Sequence, residues 1–382
     1  MIYYLAEWLN GAVQGTPWAE PLSFLRLFRY ITVRSGGAAL TALVLSWWLG
    51  PRVIRWLKEL KFGQEYRDRA EEAGDLQARV LSKRGTPTMG GLLLVPVMTV
   101  STLLWAMWIP LVCLTLLCVL VLCGLGFYDD FAKISRQSSQ GTSEGVKLLV
   151  QTVVGLGVGL YLWWNPATSR LVTEIMVPFY KYPVLTGAGL VGVLLTVLVV
   201  VGSSNAVNLT DGLDGLAIGC TVITAFVFLV FTYLAGNVRT ASYLQITYVP
   251  GAGELTVFCA AMIGAGLGFL WYNCHPAQVF MGDTGSLALG GGLGVVAVLV
   301  HQPFVLVIAG GVFVLEALSV LLQRGYFRYT RRRTGTGRRL FLMAPLHHHF
   351  EKRGWYESQV VTRFYILGVL FAVLALATLK IR

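Results

Sequence analysis

The sequence predicts an all-α integral membrane protein of about ten transmembrane helices with its chemistry in cytoplasmic loops, and three observations carry that prediction. Of 382 residues, 55% are hydrophobic and only 13% charged, with a mean hydropathy of +0.66. That balance is too apolar for a soluble domain of this length. Apolar runs of about 18 to 25 residues recur along the whole chain, each long enough to cross a bilayer core. Lys and Arg collect in alternate inter-run loops, the asymmetry that fixes orientation.

Taken in order, the runs fall at 30–50, 88–107, 109–128, 146–165, 187–208, 213–235, 253–272, 285–302, 304–323 and 361–380. The first is the least secure, because Arg34 interrupts it. With both termini outside, the inner segments 51–87, 129–147 and 324–363 hold 22 of the 30 Lys and Arg, which places them in the cytoplasm. Losing the first span would move the N-terminus across the membrane and leave every other loop in place. The chain reads as a single polytopic membrane domain over 1–382. It has an outer N-terminal segment 1–35 and inner loops 51–87, 129–147, 209–212, 273–284 and 324–360. The first 35 residues, with Glu7, Glu20 and several Trp, do not read as a cleaved signal peptide. The outer stretch 170–186, with Pro178 and Pro183, permits a small hairpin.

A net charge of +11 does not argue for nucleic acid, because the excess sits in loops where the positive-inside rule accounts for it. The six cysteines lie in or at the ends of spans without CxxC pairing, so neither a disulfide framework nor a zinc site is indicated. Glycine clusters at 155, 157 and 159, at 264, 266 and 268, and at 290–292 fall in mid-span. They predict close helix packing, not a dinucleotide loop.

Five of the seven aspartates lie near the inner ends of spans, where a carboxylate is costly unless it holds a cation or does chemistry. Asp129 and Asp130 end the third span, with Lys133 one turn further on. They form either a solvated helix end with a local ion pair or a carboxylate pair that binds a divalent cation or accepts a proton. Between the fifth and sixth spans, Asn205, Asn208, Asp211, Gly212, Asp214 and Gly215 crowd one corner. The aspartates read there as N-caps of the next helix, or the corner as an oxygen-rich site for Mg²⁺ or a nucleotide. Between the seventh and eighth spans, Asn273 and Phe280 precede Met281-Gly282-Asp283-Thr284. Asp283 or Thr284 is placed to cap the next helix, and Asp283 also to act as a hard-metal ligand, with Phe280 reading as core or as a residue that stacks on a base.

Ahead of the second span, Thr86 as N-cap and Pro87 at N1 explain part of the segment 82–91. Lys83 and Arg84 are in excess of that and suit phosphate. His347, His348 and His349 are consecutive, and at 100° per residue they cannot all face one point. One or two serve as phosphate donors or proton carriers, or the three form a titrating surface cluster. Glu316, about 12 Å inside the ninth span, needs a partner or a wet groove.

A transporter is expected to place its polar site near the bilayer midplane on broken, repeated helices. Here the polar residues gather at inner ends, which favours an interfacial enzyme joining a cytosolic substrate to a lipid one. The elements Asp129-Asp130-x-x-Lys133, Asn208-Leu-Thr-Asp211-Gly-Leu-Asp214-Gly, Met281-Gly-Asp283-Thr-Gly-Ser and Pro345-Leu-His347-His348-His349-Phe-Glu, in this order, resemble the polyprenyl-phosphate N-acetylhexosamine-1-phosphate transferases. The resemblance runs from about residue 82 to the C-terminus. Pro87-Thr88-Met89-Gly90-Gly91 and the triple histidine are similar to the peptidoglycan branch; the alternative is the branch using UDP-GlcNAc. The resemblance implies transfer of phospho-MurNAc-pentapeptide from UDP-MurNAc-pentapeptide to undecaprenyl phosphate, forming lipid I and UMP, with Mg²⁺ as cofactor and a homodimeric assembly. It further implies Asp283 as metal ligand, with Asp129 and Asp130 beside the metal and the lipid phosphate. Uridine-side contacts would come from Asp211, Asp214, Asn273 and Phe280. Lys83, Lys133 and His347, His348 and His349 would meet pyrophosphate or sugar, with Thr88 and Asn208 also lining the substrate site. Asp129 as a base remains chemically odd, since a phosphate monoester is already largely ionised at neutral pH; metal or lipid positioning and a covalent aspartyl intermediate stay open.

Overall fold

The structure is a computed structural model that describes residues 1–14, 16–17, 19–60, 85–135 and 141–381. Its described residues are helical apart from one isolated antiparallel bridge between Ile175 and Leu185, which closes the small outer hairpin expected over 170–186. The main helices are α1 (Ile2–Val13), α2 (Ile31–Glu59), α3 (Gly91–Trp105), α4 (Pro110–Ser135), α5 (Glu144–Trp164), α6 (Gly189–Thr210) and α7 (Leu216–Ala235). They continue as α8 (Ala252–Asn273), α9 (Gly282–Leu299), α10 (Pro303–Ala309), α11 (Gly311–Thr334), α12 (Leu346–Lys352) and α13 (Glu357–Ala377).

Eight of these are long and apolar enough to cross a membrane, and α10 with α11 forms a ninth, broken span bent by 85°. The tenth expected span is α3, whose 15 residues reach only about 22 Å. The ninth span therefore differs from the straight helix expected over 304–323. Gly310 and Gly311 sit at the break, where helix propensity is low, and α11 then continues about ten residues beyond the apolar run to Thr334.

The start of α3 also differs from expectation. Thr86 and Pro87 do not cap it; residues 86–91 instead run along 277–281. Phe280 N–H donates to Pro87 O at 2.8 Å, Gly90 N–H to Phe280 O at 2.8 Å and Gly91 N–H to Met281 O at 3.0 Å. Those backbone groups are better satisfied by a neighbouring chain segment than by a helix beginning early.

Helix α9 is the hub. Almost all of it is buried, between α4 on one side and α6 on the other. Gly290 meets the backbone of Ser203 and Ser204 on α6, while Gly291 and Gly292 receive Leu122 and Val119 of α4, so the glycine run does set helix approach. Gly264 and Gly268 do the same for α8 against α2, and Gly155 and Gly159 for α5 against α6; Gly157 has open space.

Arg34, the residue that made the first span doubtful, is 2% exposed inside α2. Its guanidinium is bidentate to Glu254 of α8 at 2.5 and 2.6 Å, and the same carboxylate accepts Met107 N–H at 2.8 Å. A charge is tolerated at that depth because its partner is supplied by the helix most closely packed on it. Removing one partner leaves the other charged and buried, so Glu254→Leu is expected to destabilise the protein by about 3–5 kcal/mol, while the pair Arg34→Met with Glu254→Leu recovers most of the loss. Thermal melting in detergent checks both variants.

Candidate active site

Where the inner end of α4 meets the start of α9, three carboxylates converge. Gly126 makes this possible: a Cβ there would collide with the carbonyl oxygen of Asp283. Oxygens of Asp129, Asp130 and Asp283 lie within 4.8 Å of one another. The dispersed aspartates of the sequence are brought to one point, as a shared side of the spans permitted.

The three are not equivalent. Asp130 accepts Thr284 N–H at 2.9 Å, the Thr284 hydroxyl at 2.7 Å and Asp283 N–H at 3.3 Å. It caps α9 from another helix, where unpaired N–H groups and the helix dipole favour an anion. The expectation that Asp283 or Thr284 caps its own helix is corrected: neither does, and α9 begins at Gly282 with its cap supplied by α4. Gly282, at φ +71°, packs against Asp130 and Thr88, so Thr88 is buried beside the centre.

Asp129 accepts Thr142 N–H at 2.7 Å and faces two ammonium groups, Lys133 at 2.7 Å and Lys147 at 2.8 Å. The same lysines reach Asp283 at 3.2 and 2.7 Å. Asn208 of α6 completes the centre, donating to Asp283 at 2.9 Å and to Ser286 at 2.9 Å. The side chains of Asp283, Lys133 and Lys147 keep 15, 17 and 20% exposure, whereas Asp129 has 0%. Ligands therefore approach through Asp283 and the lysines, with Asp129 behind them.

Lys147 was not singled out by sequence. Its signal was available: the loop after Asp129 is short, so the first turn of the next antiparallel span must return beside it. One turn along α5, buried Gln151 binds Ser204 at 3.0 Å and Asn205 at 2.7 Å. Ser204 in turn donates to Leu287 O at 3.0 Å, a ladder tying α5, α6 and α9 below the centre.

The corner between α6 and α7 lies alongside. Asp211 and Asp214 do not cap α7, which starts after Gly215 in the left-handed region. The Asp214 carboxylate turns to the 273–281 loop instead, accepting Ala277 N–H at 3.1 Å and facing His275 at 3.0 Å. Glu357 at the start of α13 accepts Asp214 N–H at 2.8 Å. Asn273 accepts Gly215 N–H at 3.1 Å and donates to Val279 O at 2.8 Å, so both of its ends fasten the corner to the loop that carries Phe280. Neither His275 nor Glu357 was expected here, since a lone histidine and a helix-start glutamate have ordinary explanations.

Of the three histidines, His347 is wedged against Gly212, His348 pairs with Glu351 at 2.8 Å, and His349 accepts Leu342 N–H at 3.1 Å. They fan out as helical geometry demands. Burial and neighbouring His347 lower the His348 pKa. Lys83 lies outside the described residues.

Comparison with known proteins bears on this arrangement. The Glycosyl transferase family 4 model matches residues 112–301, and the phospho-N-acetylmuramoyl-pentapeptide-transferase signature 1 matches residues 83–95. Proteins named phospho-N-acetylmuramoyl-pentapeptide-transferase are 52% identical in Methylacidiphilum infernorum and 49% in Desulfotalea psychrophila, over all of both chains in each case. Another, from Syntrophus aciditrophicus, is 50% identical over 94% of this chain and 96% of its own. The chain belongs to the phospho-N-acetylmuramoyl-pentapeptide-transferase family. The Glycosyl transferase family 4 match spans α4 to α9, and so contains the acidic centre, Lys147 and the Asp211 corner; the triple histidine lies beyond it.

Burial, and then the charges of Asp283 and Asp130, push the Asp211 carboxyl up to about 8 from its ordinary 3.8, with a Gly282 backbone hydrogen bond opposing in part. The folded protein then holds a proton that the unfolded chain releases. This stabilising contribution is complete below about pH 4 and is lost as pH rises toward 8. In EDTA, Asp211→Asn is expected to raise the melting temperature at pH 8 relative to the parent, by less at pH 5, and by little at pH 4.

Proposed function

We propose that this protein transfers phospho-MurNAc-pentapeptide from UDP-MurNAc-pentapeptide to undecaprenyl phosphate, forming lipid I and UMP. The reaction takes place on the cytoplasmic face of the bacterial inner membrane, in a homodimer. One observation carries the reading: three carboxylates and two lysines, from α4, α5 and α9, meet at one end of the spans. The reaction brings a phosphate monoester against a pyrophosphate, so the site must supply positive charge where negative charge develops.

The donor set fits Mg²⁺, since hard carboxylate oxygens are its preferred ligands. Asp283 is the principal ligand in this reading, because it is the exposed carboxylate and Asn208 fixes its orientation; Asp129 is the second. Bound Mg²⁺ would neutralise charge on the pyrophosphate during displacement. Lys133 and Lys147, now held between Asp129 and Asp283, are placed to turn to the phosphates. Asp130, with both oxygens on the α9 N-terminus, holds the centre together and is poorly placed as a base or nucleophile. In the displacement, an oxygen of the lipid phosphate bonds to the sugar-linked phosphorus and the bond to the uridine-linked phosphate breaks, releasing UMP. The lipid phosphate needs no base to become nucleophilic, which suits an Asp129 that positions cation and lysines. Asp211, Asp214, Asn273 and Phe280 shape the uridine side, with His347 and His348 toward the pyrophosphate and sugar.

The lipid's route has a counterpart. An apolar cavity of about 340 Å³ lies between α6 and α10–α11, lined by Leu195, Val199, Val207, Phe304, Phe313 and Leu318. Ala206 and Val207 line it from the last turns of α6, the same stretch that carries Asn208, the partner of Asp283. An isoprenoid tail in this groove would bring its phosphate to the site.

Asp283→Asn is expected to abolish Mg²⁺-dependent UMP release, by at least about a hundredfold, while the protein stays folded in detergent. EDTA should silence the parent and added Mg²⁺ restore it. Near-normal turnover by Asp283→Asn removes the metal assignment. Parallel incubations with UDP-MurNAc-pentapeptide and UDP-GlcNAc decide the sugar by which one yields UMP.

A further inference from the structure

Glu316 belongs to none of the groups used so far, yet it is a carboxylate with 0% exposure in α11. Its side chain meets His347 twice: one oxygen accepts the His347 backbone N–H at 3.2 Å, and the other faces ring Nδ1 at 3.3 Å. Neither ring nitrogen of His347 nor the second Glu316 oxygen has a hydrogen-bond partner among the described residues, and the far nitrogen, Nε2, is buried like the rest. It presses on Gly212, where a Cβ would collide with it, between Asp211 and Asp214 of the corner. A polar atom is thus aimed into the nucleotide side of the site and left unsatisfied, a costly arrangement unless a ligand or a shift of the corner uses it.

We propose that Glu316 is a positioning residue for the reaction: it fixes the imidazole of His347 so that Nε2 is presented at the Asp211–Asp214 corner for a hydrogen bond to the phosphosugar substrate. This rests on the transferase reading above. The carboxylate holds the His347 backbone N–H and sets its second oxygen 3.3 Å from Nδ1, so its charge favours a proton on Nδ1 and leaves Nε2 as the working nitrogen. Packing does not do this alone. Leu346 and Phe350 anchor α12 in a small core with Val312, Phe313, Leu213 and Phe364, which places the helix but not the rotation of the ring. The same core makes removal of the Glu316 charge survivable, because α12 stays docked through apolar contacts.

The test is a double-mutant cycle on purified full-length protein in detergent. Glu316→Gln is expected to lower kcat about tenfold or more, with the KM for UDP-MurNAc-pentapeptide changed less than about threefold. Added to His347→Asn it should cost nothing further, since the two act as one unit. A further full loss in the double variant, or parental turnover by Glu316→Gln, overturns the proposal. If Glu316→Gln fails to fold, Glu316→Asp keeps the charge one methylene short, and intermediate turnover is expected; turnover equal to the parent's overturns it. Labelling with diethyl pyrocarbonate, read by mass spectrometry, needs no substrate. His347 should be protected in the parent and modified in Glu316→Gln, and equal protection in both counts against a positioning role. Absence of UMP release by the parent would instead sink the transferase reading, and the labelling result would still decide whether Glu316 holds His347.

Discussion

The carboxylate of Asp130 on the N-terminus of α9 is the contact on which the site depends. A helix that starts inside protein at the membrane surface leaves several N–H groups without partners, and in a low dielectric each is expensive. Asp130 satisfies three donors there, and in doing so binds the end of α4 to the start of α9. Asp283 lies in the first turn of the helix so anchored, Asp129 one residue before the anchor, and Gly126 one turn earlier provides the clearance. The positions of the two carboxylates best suited to a cation therefore follow from where the third is fixed.

The same constraint explains why lysines outnumber what a single carboxylate needs. Three acids within 4.8 Å would repel strongly were they unaccompanied. Lys133 and Lys147 come from different helices and each touches both Asp129 and Asp283, so the charge is shared instead of paired off. Two shared ammonium groups fit the proposed exchange for a divalent cation and their proposed turn toward a pyrophosphate. At the opposite end of the span, the Arg34–Glu254 pair shows the contrasting design. There one guanidinium and one carboxylate are held face to face by two hydrogen bonds, buried in the packing of α2 on α8.

Much of this was legible in the sequence, for physical reasons that differ by residue. Apolar run length gave the spans, because it is set by the thickness of the bilayer. A shared side of the spans permitted Asp129, Asp130 and Asp283 to meet, and the packing of α4 on α9 brought them together. What failed were local rules applied where a distant segment had priority. Thr86-Pro87 reads as a helix start, but the backbone of 280–281 was available to it first, so α3 begins at Gly91. Asp211 and Asp214 read as caps of α7, but Gly215 in the left-handed region starts that helix and frees Asp214 for the 275–277 loop. The cap of α9 came from a residue about 150 positions earlier in the chain, which no local pattern encodes. Lys147 was missed for the opposite reason: its signal lay in loop length and not in any motif.

Helix α11 brings these strands together. Phe313 and Leu318 line the apolar cavity, while Glu316, roughly 130° around the helix from the centre of that lining, grips His347. One helix thus borders the groove proposed for the lipid and holds the histidine proposed to face the phosphosugar. The 85° break ahead of it frees α11 from the direction of α10, so its orientation is set by α6, α12 and α13 and not by the chain before it. An acid buried that deep in a span would be a liability if α11 were only a membrane anchor. Its placement makes sense when the lipid-facing and nucleotide-facing parts of one reaction must be held in register by the same helix.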